Sequence, residues 1–324
     1  MCQGGREATE NLGEYNQDMR LSIVVCAYNE EKSIGDLLQN ISRQRVPSEI
    51  TEREILVVAS GCTDKTVDIV KHHIVQDHRI KLIEEKARLG KASALNRAFE
   101  LTSADYIVLV PADVHPANGA LFNLLIPFRD RDVSAVSGHP TCDPKEKGKH
   151  PAKCLAKLTY RLYIRLMAKL NDSGQIAHCS GEFMAIRKDV KTTIPKECAA
   201  DDSFIAIMAR NKGVVKFAPN AVCFNLVPSN IVDYVNQRRR WLFGHFQTKK
   251  ISGEYPSVMD TIVWSKPRVV FQVIAEEIGG RPKEIGYMLS AVIVEAAIYL
   301  LSVADHILHR QYGLWAVIRS TKYA

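Results

Sequence analysis

What this 324-residue chain lacks narrows its class first. Its eight cysteines, at positions 2, 26, 62, 142, 154, 179, 198 and 223, include no C-x-x-C pair. That argues against a zinc ribbon or a thioredoxin-like redox site. Nothing in their spacing resembles a disulfide framework, and several lie in apolar runs. They read as reduced, cytosolic thiols used as small hydrophobes. The opening stretch, MCQGGREATENLGEYNQDMR, has no signal-peptide apolar core, so secretion by that route is not expected. Long apolar runs are scarce, with one near the C-terminus. The positive balance, 43 Lys+Arg against 36 Asp+Glu for a net +7, suits phosphates, nucleotides or a membrane surface. No nucleic-acid-binding motif accompanies it, so no nucleic-acid partner is expected.

A composition of 46% hydrophobic and 24% charged residues is globular and excludes a disordered or collagen-like chain. The length suggests about two domains, or one large α/β domain with an appendage. Residues 21–27 (LSIVVCA) form an apolar run that ends at YNEE, the pattern of a fully buried strand. A helix is expected over about 31–43. A second strand, 53–59, ends at SGCTDKT, where Thr63 and Asp64 look like the cap of a helix through about 76. A short strand at 80–84 precedes the Ala/Leu-rich KASALNRAFE, and strand 105–110 ends at PADVHP. Strands alternating with helices predict an open, mostly parallel sheet. Ligands bind such sheets at the carboxyl ends of the strands. YNEE, SGCTD and PADVH all fall there.

The second half differs. A helix is expected at about 152–170, with Leu155, Leu158, Leu162, Leu166 and Leu170 on one face and Lys153, Lys157, Arg161, Arg165 and Lys169 on another. By itself it reads as core-packed with a solvated basic face; the other reading lays it on an anionic membrane. Residues 285–304 are twenty residues with one ionisable side chain, Glu295, long enough to cross a hydrocarbon core. Glu295 at mid-depth is costly unless paired or facing protein. Arg310, Arg319 and Lys322 beyond it belong on the cytosolic side, which argues against a simple single span. Membrane association with a cytoplasmic catalytic domain is the expectation. The expected organisation is a polar tail over 1–19, a catalytic domain over 20–249, and membrane-associated amphipathic and hydrophobic helices over 250–324.

Carboxylates on loops beside an arginine cluster suit a metal–diphosphate ligand, and a further carboxylate suits a general base. Asp113, the adjacent Asp201 and Asp202, and QRRRW at 237–241 supply these groups. Each alone is weak, since an acidic pair more often opens a helix and a triple arginine more often faces solvent. The order IVVCAYNEE, SGCTDKT, GKASALNRAFE, VLVPADVHP, CSGEFMAIRKDV, ADDSF, QRRRW resembles the family 2 glycosyltransferases over about residues 20–245. The QxxRW motif is similar to that of the cellulose, chitin and hyaluronan synthase branch.

The resemblance implies an α/β GT-A fold, a Rossmann-like nucleotide-binding sheet flanked by helices. It also implies a nucleotide-sugar donor, most simply a UDP-sugar, with Mg²⁺ or Mn²⁺. Matched residue by residue, Ala27, Tyr28, Glu30, Asp64, Lys91 and Arg240 would contact the nucleotide or diphosphate. Asp113 would bind metal, with His115 a candidate second ligand. Asp202 would be the catalytic base, and Asp201, Gln237 and Trp241 would face the acceptor. The reaction implied is inverting transfer to a hydroxyl of a lipid, membrane-associated or glycan acceptor. Two departures stand out. The DxD triplet is Pro111-Ala112-Asp113, without its first Asp, and Ala59-Ser60 replaces a common acidic residue. The alternatives are a polyprenyl-phosphate glycosyltransferase and a nucleotide-sugar-binding membrane protein weakened in catalysis. One long apolar segment cannot enclose a polysaccharide channel unless protomers assemble as a homo-oligomer. Transfer of one or a few sugars is therefore expected over polymerisation.

Overall fold

The computed structural model describes residues 18–146 and 150–308. The polar tail except for Asp18 and Met19, and the cationic residues Arg310, Arg319 and Lys322, lie outside the described residues. The apolar runs become the strands they suggest: β1 (Met19–Ala27), β2 (Ile50–Ser60), β3 (Ile80–Glu85) and β4 (Tyr106–Leu109). Between them run α1 (Ile34–Arg43), α2 (Thr66–Gln76) and α3 (Lys91–Leu101). Helix α1 forms because Ile34, Leu37, Leu38 and Ile41 recur at helical spacing, and all four are buried. Strands β1, β2, β3 and β4 pair in parallel. Their alternating side chains feed two cores, Val24, Leu56, Val58 and Ile107 on one face and Ile23, Val25, Ile55, Val57 and Val108 on the other. Coverage on both faces explains why these strands are continuously apolar.

The remaining strands are β5 (Val114–Pro116), β6 (Val133–Cys142), β7 (Met184–Arg187) and β8 (Val214–Asn225), with α4 (Ala120–Leu125), α5 (Pro151–Asp172) and α6 (Asp201–Arg210) between them. The eight strands lie in the order β3-β2-β1-β4-β7-β6-β8-β5. The sheet is more mixed than the alternation predicts. Strand β7 runs antiparallel to both β4 and β6, and β5 antiparallel to β8, while β6 and β8 are parallel. A four-residue strand carries no signal of its direction, which is set by where α5 returns the chain.

Helices α7 (Ile231–Ser252), α8 (Met259–Ser265), α9 (Pro267–Gly280) and α10 (Ile285–Ile307) complete the structure. The side chain of Asn230 accepts from the Asp233 N–H at the start of α7, and Gly253 closes it in the left-handed conformation. One expectation for this region needs correction. The basic stripe of α5 is only partly exposed and is paired rather than free to meet a membrane. Arg161 and Arg165 grip Glu277 of α9 at 2.6 and 2.9 Å, Lys169 pairs with Glu276, and Lys153 pairs with Glu146. Glu295 has the partner its position calls for, because Arg238 of α7 pairs with it at 2.9 Å. Helix α10 docks on α7 along one stripe, with Met288, Ala291, Ile298, Ser302 and Asp305 buried. Its opposite face exposes Leu289, Val292, Ile293 and Leu300. Among the described residues, Pro282–Ile307 is the stretch long and apolar enough to cross a membrane, with mean hydropathy 1.9.

Candidate active site

The carboxyl ends of β1, β2 and β4 open on a cavity of about 370 Å³ that extends beneath α5, α7 and the start of α8. The loops after β1 and β2 form its rim and are stitched together. Asn29, the non-glycine residue with positive φ among those described, accepts the Thr63 N–H at 2.8 Å, and its amide donates to Thr63 Oγ1. The Glu30 N–H donates to Thr66 Oγ1 at 2.7 Å. Asp64 belongs to this seam. Its carboxylate accepts from the backbone N–H groups of Glu31 and Thr66, so it holds the loops and starts α2, and it does not line the cavity. Asp64, expected at the nucleotide, thus has a structural role in this seam. Ala27, Tyr28 and Glu30 do line it, as does Ser60. The Arg88 guanidinium stacks over the Tyr28 ring at 4.0 Å, giving a flat cationic lip suited to a base and its phosphates.

Lys91, at the first position of α3, projects into the cavity and pairs with Asp201 Oδ2 at 2.8 Å. Burial would push its ammonium down, but the charges of Asp201 and Asp202 outweigh that and hold it above its ordinary value. Asp201, expected at the acceptor, is itself outside the lining and reaches the cavity through Lys91. Asp202 does face the cavity. Its carboxylate accepts from the backbone N–H groups of Ser203 at 2.7 Å and Gly181 at 3.0 Å. A Cβ on Gly181 would fall 2.7 Å from Asp202 Oδ2, so only glycine lets the chain approach this carboxylate. Gly244 plays a similar part, since a Cβ there would meet that of Ala200 at 2.9 Å. It lets α7 close against the segment leading to the acidic pair.

On α7, Gln237, Arg240 and Trp241 line the cavity, and Arg238 joins them. Arg239, about 200° around the helix from Gln237, points away and pairs with the buried Asp305 of α10. Arg240 is buried. Desolvation lowers its pKa to about 10 against the opposing charges of Asp113 and Asp201, which leaves it cationic at neutral pH. Arg240, Lys91 and Asp113 therefore meet at the mouth of the strands.

Several cavity residues were not singled out from the sequence. Glu182, within CSGEF, accepts from Ser180 Oγ and from Tyr160 Oη. Burial pushes its carboxyl above the ordinary range, the Ser180 bond opposes this and the charge of Asp202 adds to it. Thr159, Tyr160 and Tyr163 form a third face of α5, between the leucine and lysine/arginine stripes; that leftover face was the available signal. His178 is buried with Nδ1 3.0 Å from Ser203 Oγ, and burial lowers its pKa to about 4. Asp260 completes the far wall. Burial opposes its ionisation, but Arg238 and His245 hold its pKa down at about 2.

No group of three His, Cys, Asp or Glu side chains able to hold a metal ion is present among the described residues. His115 sits on β5 opposite Phe224 and is not part of the cavity lining, so its expected role as a second ligand is not supported. Among the matched metal-site residues, Asp113 is the one that lines the cavity. That suits a divalent cation carried by the substrate, since Mg²⁺ is commonly bound by one or two carboxylates with phosphates and water supplying the rest.

Residues 22–193 match the family model described as glycosyl transferase family 2. The chain belongs to that family. Asp201, Asp202 and QRRRW lie beyond the matched span. Among curated proteins, this glycosyltransferase is 25% identical over 240 residues to the poly-beta-1,6-N-acetyl-D-glucosamine synthase of Staphylococcus epidermidis, covering 71% of this chain and 56% of that protein. The synthase of Staphylococcus aureus strain COL is 24% identical over 233 residues, covering 69% and 54%. The chain thus spans about half the length of the curated relatives it matches. Among solved structures, the mannosyltransferase PcManGT of Pyrobaculum calidifontis, in complex with GDP-Man and Mn²⁺, superposes with a TM-score of 0.65 at 21% identity, covering 92% of this chain and 89% of that one. The shared feature is the GT-A fold.

Proposed function

We propose that the protein is an inverting, metal-dependent glycosyltransferase of the QxxRW branch, moving a sugar from a UDP-sugar to a hydroxyl of a glycan acceptor. The observation that carries this is the placement of Asp202. Its carboxylate is fixed by two backbone N–H groups in the same cavity as Asp113, Lys91 and Arg240. Asp202 accepts the proton of the attacking hydroxyl as that oxygen displaces the nucleoside diphosphate at the anomeric carbon. Lys91 and Arg240 bind the diphosphate and balance the charge that grows on its leaving oxygen. Asp113 would hold the Mg²⁺ or Mn²⁺ that, when bound with the donor, neutralises phosphate charge. PcManGT, described with GDP-Man and Mn²⁺, supports the metal.

The acceptor side carries Asp202, Glu182 and Asp260, with Tyr160, Tyr163 and Trp241 as aromatic walls. Carboxylates receive sugar hydroxyls well and repel a phosphate, which favours a glycan over a polyprenyl phosphate. The names of the staphylococcal relatives point the same way, and the acceptor assignment shifts from lipid toward glycan on these grounds. The exposed apolar face of α10, with Trp264 and Phe271 nearby in sequence on α8 and α9, supports seating on a membrane, with the cavity on the cytoplasmic side. The test is nucleoside diphosphate release by the full chain from a panel of nucleotide sugars, with and without glycan and lipid-extract acceptors, and with and without EDTA. Acceptor-stimulated, EDTA-sensitive release from a UDP-sugar is expected. Absence of acceptor stimulation with every donor overturns the proposal.

A further inference from the structure

Helix α10 lies outside the span matched by the family model, yet its acidic side chains reach the catalytic helix. Glu295 accepts from Arg238 Nε at 3.2 Å and from Nη2 at 2.9 Å, and from the Tyr234 hydroxyl. Asp260 takes the same Nη2 at 3.2 Å. The Arg238 guanidinium is thereby fixed with its Cζ 5.5 Å from the centre of the Trp241 ring. Both Arg238 and Trp241 line the cavity. A free arginine carries about 2 kcal/mol of rotamer entropy, and two carboxylates gripping one fork remove most of that freedom. About three turns further along α10, Asp305 grips Arg239, which faces away from the cavity. The two pairs are alike in chemistry and differ in whether their arginine reaches the site.

We propose that Glu295 is a positioning residue for the acceptor site, acting through Arg238 to set the Trp241 ring against the incoming sugar. The Arg239–Asp305 pair holds α10 in place without touching the site. The assignment of Trp241 to the acceptor rests on the function proposed above; the mechanical link from Glu295 to Trp241 does not.

The experiment compares Glu295→Gln with Asp305→Asn in the full chain. The protein is labelled with 5-fluorotryptophan; it has three tryptophans, and Trp241→Phe assigns the ¹⁹F resonance of interest. Glu295→Gln is expected to shift or broaden the Trp241 resonance, and Asp305→Asn to leave it in place while lowering the melting temperature. In transfer kinetics, Glu295→Gln should raise the acceptor KM about tenfold, equivalent to about 1.4 kcal/mol of binding, with donor KM unchanged, and Glu295→Asp should recover part of it. Tyr234→Phe, which removes the hydroxyl's hydrogen bonds to Glu295 and Thr159 and no charge, gives a second variant should Glu295→Gln fail to fold. An unmoved Trp241 resonance in a folded Glu295→Gln or Tyr234→Phe protein overturns the proposal. So does an equal response to Glu295→Gln and Asp305→Asn, which would make α10 a general brace. A moved resonance without acceptor-dependent turnover in the parent protein would instead refute the proposed function and leave the link standing.

Discussion

Replacing Lys91 with methionine tests the electrostatics at the centre of the site. Lys91 Nζ lies 2.8 Å from Asp201 Oδ2, and the Asp201 side chain is 4% exposed while that of Lys91 is 26% exposed. Removing one partner of a fully buried pair costs about 3–5 kcal/mol. Partial exposure of Lys91 lets water screen part of this, so about 3 kcal/mol is expected here. At about 2 °C per kcal/mol for a protein of this size, the melting temperature should fall by about 6 °C near neutral pH. The loss should depend on pH. Without Lys91, the buried Asp201 carboxyl has a folded pKa raised above its unfolded value of about 3.9. Its contribution is then complete below that value and is lost as pH rises through the folded pKa. Lys91→Met should therefore recover toward wild-type stability between pH 7 and pH 5. In the parent, Lys91 itself has a raised pKa, so its contribution is lost only above about pH 10.4, its unfolded value. Asp201→Asn added to Lys91→Met removes the buried charge and should restore most of the stability at pH 7. Differential scanning fluorimetry of the three variants from pH 5 to 8 is sufficient. A Lys91→Met protein whose melting temperature falls by less than about 1 °C, or whose loss is independent of pH and of Asp201→Asn, would refute the reasoning.

Four further outcomes are expected. Asp202→Asn should lower transfer by at least about 10²-fold, within the range for loss of general base catalysis, while nucleotide binding measured by calorimetry stays near wild type. Gly181→Ala should mimic it in part, because the added methyl would sit 2.7 Å from Asp202 Oδ2; unaltered turnover would show that the carboxylate can relocate. Arg240→Lys should lose most activity because a point charge cannot replace a bidentate fork, whereas Arg239→Lys should affect stability more than rate; equal rate losses would make the cluster a diffuse positive patch. Glu277, with 1% side-chain exposure beneath Arg161 and Arg165, has a carboxyl that burial pushes up but those arginines hold below its ordinary value. Its contribution is present above about pH 4.3 and lost as pH falls. Glu277→Gln should cost about 3 kcal/mol at pH 7 and little near pH 3, read by urea denaturation.

The sequence alone determined the parts of this protein governed by local periodicity and by strand ends. Continuous apolar runs such as LSIVVCA could only be strands covered on both faces, and the loops that follow them had to meet at one edge of the sheet. That placed Tyr28, Glu30 and Asp113 at one edge before any coordinates, whereas Asp202 and Arg240, on α6 and α7, were assigned there only by the family resemblance. The tertiary structure decided what depended on partners distant in sequence. Asp64 matched a motif, but only the adjoining loop showed that its oxygens are occupied by the backbone of Glu31 and Thr66. The basic stripe of α5 read as a solvated or membrane-facing surface, and Glu295 as a charge that needed a partner. Their counter-charges, Glu277 on α9 and Arg238 on α7, lie 116 and 57 residues away. An ion's environment is set by whatever folds against it within a few ångströms, and sequence spacing beyond a helical turn carries no record of that distance.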